Sequence, residues 1–184
     1  MTLHKHRPVI VAAAAALAIA AAGCAALRSG DYVARTAAFP HYHTWEWAAA
    51  HENPTGDPRL DSNPMFEGRV RAAVEHQLAS RGYVRTTLAG LPDLRAHYHV
   101  NFTKMFDVTS GAHGDSCYGD CGPDADAYEQ GTIVVDLVDT RTNELVYRGW
   151  ARDNMEGLID DQSRLEHEVD IVVAALFAEC PAAR

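Results

Sequence analysis

The sequence predicts an α+β domain of two layers, with about four mainly antiparallel strands and two helices on one face, in the order β-α-β-β-β-α. Three observations predict it. The stretch Gly131 to Asp153 reads as a β-hairpin. Two segments, Pro64 to about Arg81 and Gln162 to Glu179, carry apolar residues at helical spacing. Leu94 to Met105 alternates apolar and polar residues with a period of two.

The hairpin is the strongest of these. Its first arm places Ile133, Val135 and Leu137 on one face and Thr132, Val134, Asp136 and Val138 on the other. Its second arm separates Leu145 and Tyr147 from Val146, Arg148 and Trp150. Both arms are rich in β-branched and aromatic residues, which suit a pleated surface. Asp139 can start the turn between them through its side chain, and Asn143 tolerates the left-handed conformation needed near its end.

Taken in order, the chain opens with a targeting segment, residues 1–23. His4, Lys5, His6 and Arg7 form a positive end, and Val9 to Ala22 is an apolar run too short for a comfortable membrane span. The run ends Ala21-Ala22-Gly23-Cys24, which resembles the bacterial lipobox, in which the cysteine is acylated and becomes the mature N-terminus. Ala21 stands where that pattern usually has Leu. The expectation is a lipid anchor at Cys24, and Ala25 after it favours the outer membrane by analogy with enterobacterial sorting. Residues 24–40 are expected to be the lipidated cysteine and a tether, followed by one domain over residues 41–184.

His41 to Ala48 alternates as a first strand, with His43, Trp45 and Trp47 on one face. The two tryptophans read as core, or as lying under the C-terminal helix. A loop rich in Pro and Gly follows. Asn63-Pro64 then reads as an N-cap with proline at the first helical position. Phe66, Val70, Ala73, Val74, Gln77 and Leu78 form the inner stripe of this helix, and Gly82 is its stop. Leu94, Ala96, Tyr98, Val100 and Phe102 form one face of the next strand, and Arg95, His97, His99, Asn101 and Thr103 the other. Residues 106–130 read as one long loop rich in Gly and Asp. Asp160 or Asp161 is expected to cap the last helix, whose stripe is Leu165, Val169, Val172, Val173 and Leu176, with Ile171 and Phe177 widening the apolar face. If the first two strands are neighbours, the helix between them makes the pair parallel.

The formal net charge of −9 argues against nucleic acid as a partner, because binding phosphates requires a basic face. Removal of the leader takes Lys5 and Arg7 with it. Attraction to anionic headgroups is therefore not expected, and the lipid at Cys24 is left to do the anchoring.

Several stretches together resemble a family of bacterial lipoproteins known as domain of unknown function 4136. They are Asp57-Pro58-Arg59-Leu60, Ala79-Ser80-Arg81-Gly82-Tyr83, Pro92-Asp93-Leu94 with Tyr98-His99-Val100, Gly131 through Asp139, and Leu145 through Ala151. Asn143 stands where the family usually has Gly, and Tyr147 where Trp is frequent. The resemblance implies the compartment and the fold. It brings no established activity.

Candidate chemistry is sparse. Cys117 and Cys121 form a CxxxC pair, which an oxidising compartment would close as a disulfide within the long loop. Cys180 reads as a buried free thiol. His41 with His43, and His97 with His99, form two HxH pairs. On neighbouring strands these pairs could approach a Zn or Cu site. Asp120, Asp124, Asp126 and Glu129 do not match the EF-hand pattern for calcium. No nucleophile elbow and no phosphate-binding glycine motif is present, so an enzyme is not expected, nor a cofactor. The favoured expectation is a non-catalytic protein held to the membrane by its N-terminal lipid, facing the periplasm and working with an envelope protein partner. A periplasmic metal or small-ligand binder, using the histidine pairs or the long loop, is the alternative.

Overall fold

The computed structural model describes residues 27–49, 55, 57–61, 63–86, 91–107, 126–155 and 157–183. Among these, six strands form one sheet: β1 (Arg28–Val33), β2 (Thr44–Trp47), β3 (Val84–Arg85), β4 (Leu94–Asp107), β5 (Asp126–Asp139) and β6 (Leu145–Asn154). Their spatial order is β1-β6-β5-β4-β2-β3. Two helices, α1 (Pro64–Ser80) and α2 (Gln162–Leu176), and a 3-10 turn at Phe39–His41 complete the domain. The α+β class stands as expected, with six strands in place of about four.

The hairpin forms as its pattern requires. Ile133 faces Ala151 and Val135 faces Gly149, and Asn143 adopts a left-handed φ of 58°. The ladder shifts between Leu137 and Val138, so that Tyr147 opposes Leu137 while Leu145 opposes Val138. Val146 is the extra residue. This bulge lets Val146 and Tyr147, neighbours in sequence, both be buried.

The added strands are those that carry no apolar alternation. Arg28–Val33 (R-S-G-D-Y-V) was expected to be tether. It is instead an edge strand that pairs antiparallel with β6, from Arg28 opposite Arg152 to Val33 opposite Tyr147. An edge strand is held by backbone pairing on one side and needs little apolar alternation of its own. β3 is two residues long and pairs parallel with β2. The expected loop 106–130 is shorter than its composition suggested: β4 runs to Asp107 and β5 begins at Asp126, and the two pair antiparallel along their whole length. The first strand is also shorter than expected, because His41 belongs to the 3-10 turn. β2 and β4 are neighbours and parallel, with Trp45 opposite Leu94, as expected for strands joined through a helix.

Both helices pack on one face of the sheet. Phe66 of α1 meets Phe102 of β4 edge-on at 6.1 Å, and Phe177, just past α2, stacks on Tyr147 of β6 at 5.8 Å. Phe102 opposes Gly131 and Tyr147 opposes Leu137, two residues of the same face of β5. The expected stripes are buried: Phe66, Val70, Ala73, Val74 and Leu78 of α1, and Leu165, Val169, Val172, Val173 and Leu176 of α2. Phe177 is fully buried, but Ile171 points to solvent and does not widen the face. Trp45 is core, and Trp47 lies under α1 rather than the C-terminal helix, its indole Nε1 donating to Glu75 at 2.9 Å. Caps form where expected. Asn63 Oδ1 accepts from the amides of Met65 and Phe66, both at 3.1 Å, and Asp161 Oδ1 accepts from that of Arg164 at 3.1 Å. Gly82 follows α1 at φ 87°.

Candidate functional site: the open face of the sheet

Among the described residues, no helix covers the second face of the sheet. The pairing register arranges its side chains in rows. The first runs Glu46 of β2, Arg95 of β4 and Val138 of β5. The next runs His97, Asp136, Arg148 and Tyr32, from β4 to β1. Then come His99, Val134, Trp150 and Gly30, followed by Asn101, Thr132, Arg152 and Arg28.

Two of these rows hold fixed ion pairs. Arg148 donates to both oxygens of Asp136, Nε to Oδ1 and Nη2 to Oδ2, each at 2.6 Å. This fork geometry holds a carboxylate that is almost fully buried, and the hydrogen bond to Asp136 raises the Arg148 pKa further above its ordinary range. Arg95 donates to Glu46 at 3.1 Å on a more exposed part of the face. In the third row the Trp150 indole lies over Gly30, where a Cβ would come within 2.7 Å of the ring. Only glycine leaves room for that ring. The Arg152 guanidinium stands 5.8 Å from the same ring centroid, and its Nε is buried without a hydrogen-bond partner among the described residues.

The histidine pairs are not brought together. His41 and His43 are exposed at the start of β2, where His43 Nδ1 lies 3.2 Å from the His41 carbonyl. Level with them is Asp93, whose Oδ2 accepts from the amides of His43 and Thr44. His97 lies four residues further along β4, roughly 13 Å at strand rise. It is on the open face with His99, whereas Trp45 and Trp47 alternate onto the helix face. Among the described residues, no group of three or more His, Cys, Asp or Glu side chains is placed to hold a metal ion. Glu129, one of the acids considered for calcium, pairs instead with Arg59 at 3.2 Å. Cys24, Cys117 and Cys121 lie outside the described residues. Cys180 is buried and free, and burial pushes its pKa up to about 12. No helix of the described residues is long and apolar enough to cross a membrane.

The short stretches that carry the family resemblance serve as joints of the fold. Arg59 binds Asp57, Glu129 and Asp160, and so ties the loop before α1 to β5 and to the connector before α2. Its guanidinium, hydrogen-bonded to the Asp57 carboxylate, holds that acid below its usual range. Arg81 donates to the Phe177 carbonyl, and Tyr83 Oη donates to the Pro181 carbonyl at 2.8 Å, which fastens the end of α1 to the end of the chain. Asp93 caps β2, accepting also from Thr44 Oγ1 at 3.0 Å. Tyr147 Oη donates to the Leu176 carbonyl. The open face, in contrast, was not singled out by any motif. Its signal in the sequence was the polar half of each alternating strand.

Comparison with solved structures places the fold among known ones. A PDZ domain protein from Parabacteroides distasonis matches with a TM-score of 0.52 at 15% identity, over 94% of this chain and 40% of that one. The present chain therefore spans less than half the length of that protein. The PelC dodecamer from Paraburkholderia phytofirmans matches with a TM-score of 0.50 at 10% identity, over 86% of this chain and 99% of that one. A DUF4136 family protein from Bacteroides thetaiotaomicron matches with a TM-score of 0.46 at 12% identity, over 83% of this chain and 95% of that one. No curated protein matches the chain in sequence. The family model described as "Domain of unknown function (DUF4136)" matches residues 29–182, from the second residue of β1 to the end of the fold, and the chain belongs to that family.

Proposed function

We propose that this chain is a lipid-anchored protein of the bacterial envelope, held at the outer membrane through Cys24, whose domain faces the periplasm and acts by contact rather than by catalysis. The observation that carries the contact reading is the sheet face left without a helix among the described residues. Such a face would ordinarily be covered, or be uniformly polar if solvated. Here it presents exposed Tyr32, half-buried Trp150 and Val134, and charged groups already locked in place by pairing. A surface with its polar groups held in this way meets a partner with little ordering cost.

The leader supports the anchor. A basic start, a short apolar run and Cys24 fall in register for acylation. The PelC protein of similar fold is a dodecamer, and this supports association of copies as one form of the contact. The metal-binding reading of His41, His43, His97 and His99 is not carried forward, because sheet register separates the two pairs.

The test is in two parts. Palmitate labelling of cells expressing the chain, with peptide mass spectrometry, reads acylation at Cys24, and Cys24→Ala should abolish it. A photo-crosslinker placed at Val134, on β5 and away from the β1 edge, should then capture a defined species in the envelope, either a second copy or another protein. Absence of acyl groups on Cys24 would overturn the anchor. Adducts at Val134 no more frequent than at solvent-facing Ile171 would overturn the contact reading.

A further inference from the structure

The chain leaves little length for a tether between Cys24 and the sheet. Three residues separate Cys24 from Arg28, the first residue of β1. Fully extended, that connection spans about 14 Å. Whatever holds Cys24 therefore holds the β1 end of the sheet beside it. This is the end at which the row of Arg28 and Arg152 begins.

That row is unusual in charge. Arg28 and Arg152 are directly opposite on adjacent antiparallel strands. Like charges in that position repel. Neither arginine has an ion pair among the described residues, and Arg152 Nε has no hydrogen-bond partner there. The other two arginines of the face, Arg95 and Arg148, are neutralised by Glu46 and Asp136. Among the described side chains of these four rows, the uncompensated arginine charge is that of two neighbouring guanidinium groups, in an otherwise acidic chain. Beside them stand Trp150 and, on β1 itself, Tyr32 at 53% exposure. Tryptophan and tyrosine are the side chains that settle in the headgroup layer of a bilayer.

We propose that the β1–β6 end of the open face is a docking surface for anionic phospholipid headgroups. Arg28 and Arg152 share the phosphate, and Trp150 and Tyr32 lie in the interfacial layer. The inference rests on the reading of Cys24 as the lipid anchor, since the anchor brings this surface into contact range. The net charge of the chain does not oppose it. Screening limits a charge's reach to about 8 Å at physiological salt, so the membrane meets the nearest face and not the sum. The cationic pair would relieve its own repulsion on a phosphate, and guanidinium groups match phosphate geometry.

The test uses the full acylated chain, reconstituted into vesicles of phosphatidylcholine alone or mixed with phosphatidylglycerol. Either lipid set carries bromine on its acyl chains to quench nearby tryptophan. The Trp150→Phe variant isolates the share of quenching that belongs to Trp150. The expected result is quenching of Trp150 that appears with phosphatidylglycerol and falls with added salt. In the pair Arg28→Gln with Arg152→Gln, most of it should be lost, and the phosphatidylglycerol fraction for half-maximal quenching should rise severalfold, each cation at an anionic surface being worth roughly fivefold. The pair Arg28→Lys with Arg152→Lys keeps the charge and should keep the quenching, which separates binding from any loss of folding. Equal quenching in both lipids, no quenching of Trp150, or no effect of the glutamine pair would each overturn the proposal. So would shielding of Trp150 in both lipids together with a multimeric mass that the glutamine pair dissolves, which would assign the face to a second copy. Mass spectrometry of the Cys24 peptide distinguishes the two readings: an acylated chain with no quenching removes the docking surface alone, and an unacylated chain removes the anchor and the docking surface with it.

Discussion

Tyr42 and Asp139, 97 residues apart in sequence and both buried, are joined by a hydrogen bond of 2.9 Å from Oη to Oδ2. This bond ties the turn before β2 to the turn of the β5–β6 hairpin. Asp139 also accepts from the amides of Arg141 at 2.7 Å and Thr142 at 3.2 Å, so one carboxylate organises both turns. Tyr42→Phe removes the hydroxyl and keeps the ring against Phe39. The expected cost is about 1–2 kcal/mol, the range for leaving a buried acceptor short of one partner. Thermal or urea unfolding of the variant reads it, and an unchanged midpoint would refute it.

The same carboxylate sets an acid limit. Burial works to raise the Asp139 pKa, but the hydrogen bonds from Arg141, Tyr42 and Thr142 outweigh it and hold the group below its ordinary range. Asp93 behaves alike: burial opposes, and the His43 and Thr44 donors prevail. A lowered folded pKa means that these groups stabilise the fold above the unfolded value, near pH 4, and lose that contribution as the pH falls through the folded values. Stability should be level near neutrality and decline below about pH 4. Asp139→Asn should flatten this decline in a pH series of melting temperatures.

Helix α2 ends against strand β6 at Gly149. A Cβ at that position would collide with the Leu176 carbonyl, which also receives the Tyr147 hydroxyl. Gly149→Ala must therefore push the helix end off the sheet or break the bond. A loss of roughly 1–3 kcal/mol is expected, as for overpacking elsewhere. Gly68 of α1 is a matched control, because nothing lies within 4 Å of its Cβ position. Gly68→Ala should be neutral or stabilising by up to about 1 kcal/mol.

The Asp136–Arg148 pair predicts an asymmetric double-mutant cycle. Arg148→Leu leaves a nearly buried carboxylate without its fork and should cost about 2 kcal/mol, reduced from the fully buried case because the arginine side chain is 49% exposed. Arg148→Leu combined with Asp136→Leu should be more stable than Arg148→Leu alone. Equal stability of the single and double variants in chemical denaturation would show that the carboxylate is not stranded.

Cys180 should be inert while the fold is intact. It is 7% exposed, and burial raises its pKa to about 12, so little thiolate forms near neutrality. Alkylation at pH 8, followed by peptide mapping, should be at least about 100-fold slower in the native chain than in denaturant. Comparable rates would place the thiol at the surface.

Most of the elements could be read from the sequence where side chains follow a strong period. The hairpin, both helices and the apolar face of β4 were legible because burial on one face imposes alternation of two or 3.6 residues, and Asn63, Gly82, Asn143 and Asp161 marked the ends by local geometry. β1 was not, since Arg28 to Val33 is polar and is held by backbone pairing to β6. The polar alternation of β4, β5 and β6 could be read, but not that it would form a continuous face holding Trp150 over Gly30.

The sequence by itself determined the class of fold and the family likeness, because these reside in local pattern. Only the tertiary structure decided which polar residues meet. Register places Arg28 opposite Arg152 and keeps His43 away from His97, and it turns Arg59, Arg81 and Asp93 into joints. Those outcomes depend on strand order and on pairing across up to about 125 residues of chain, which a period in the sequence does not encode.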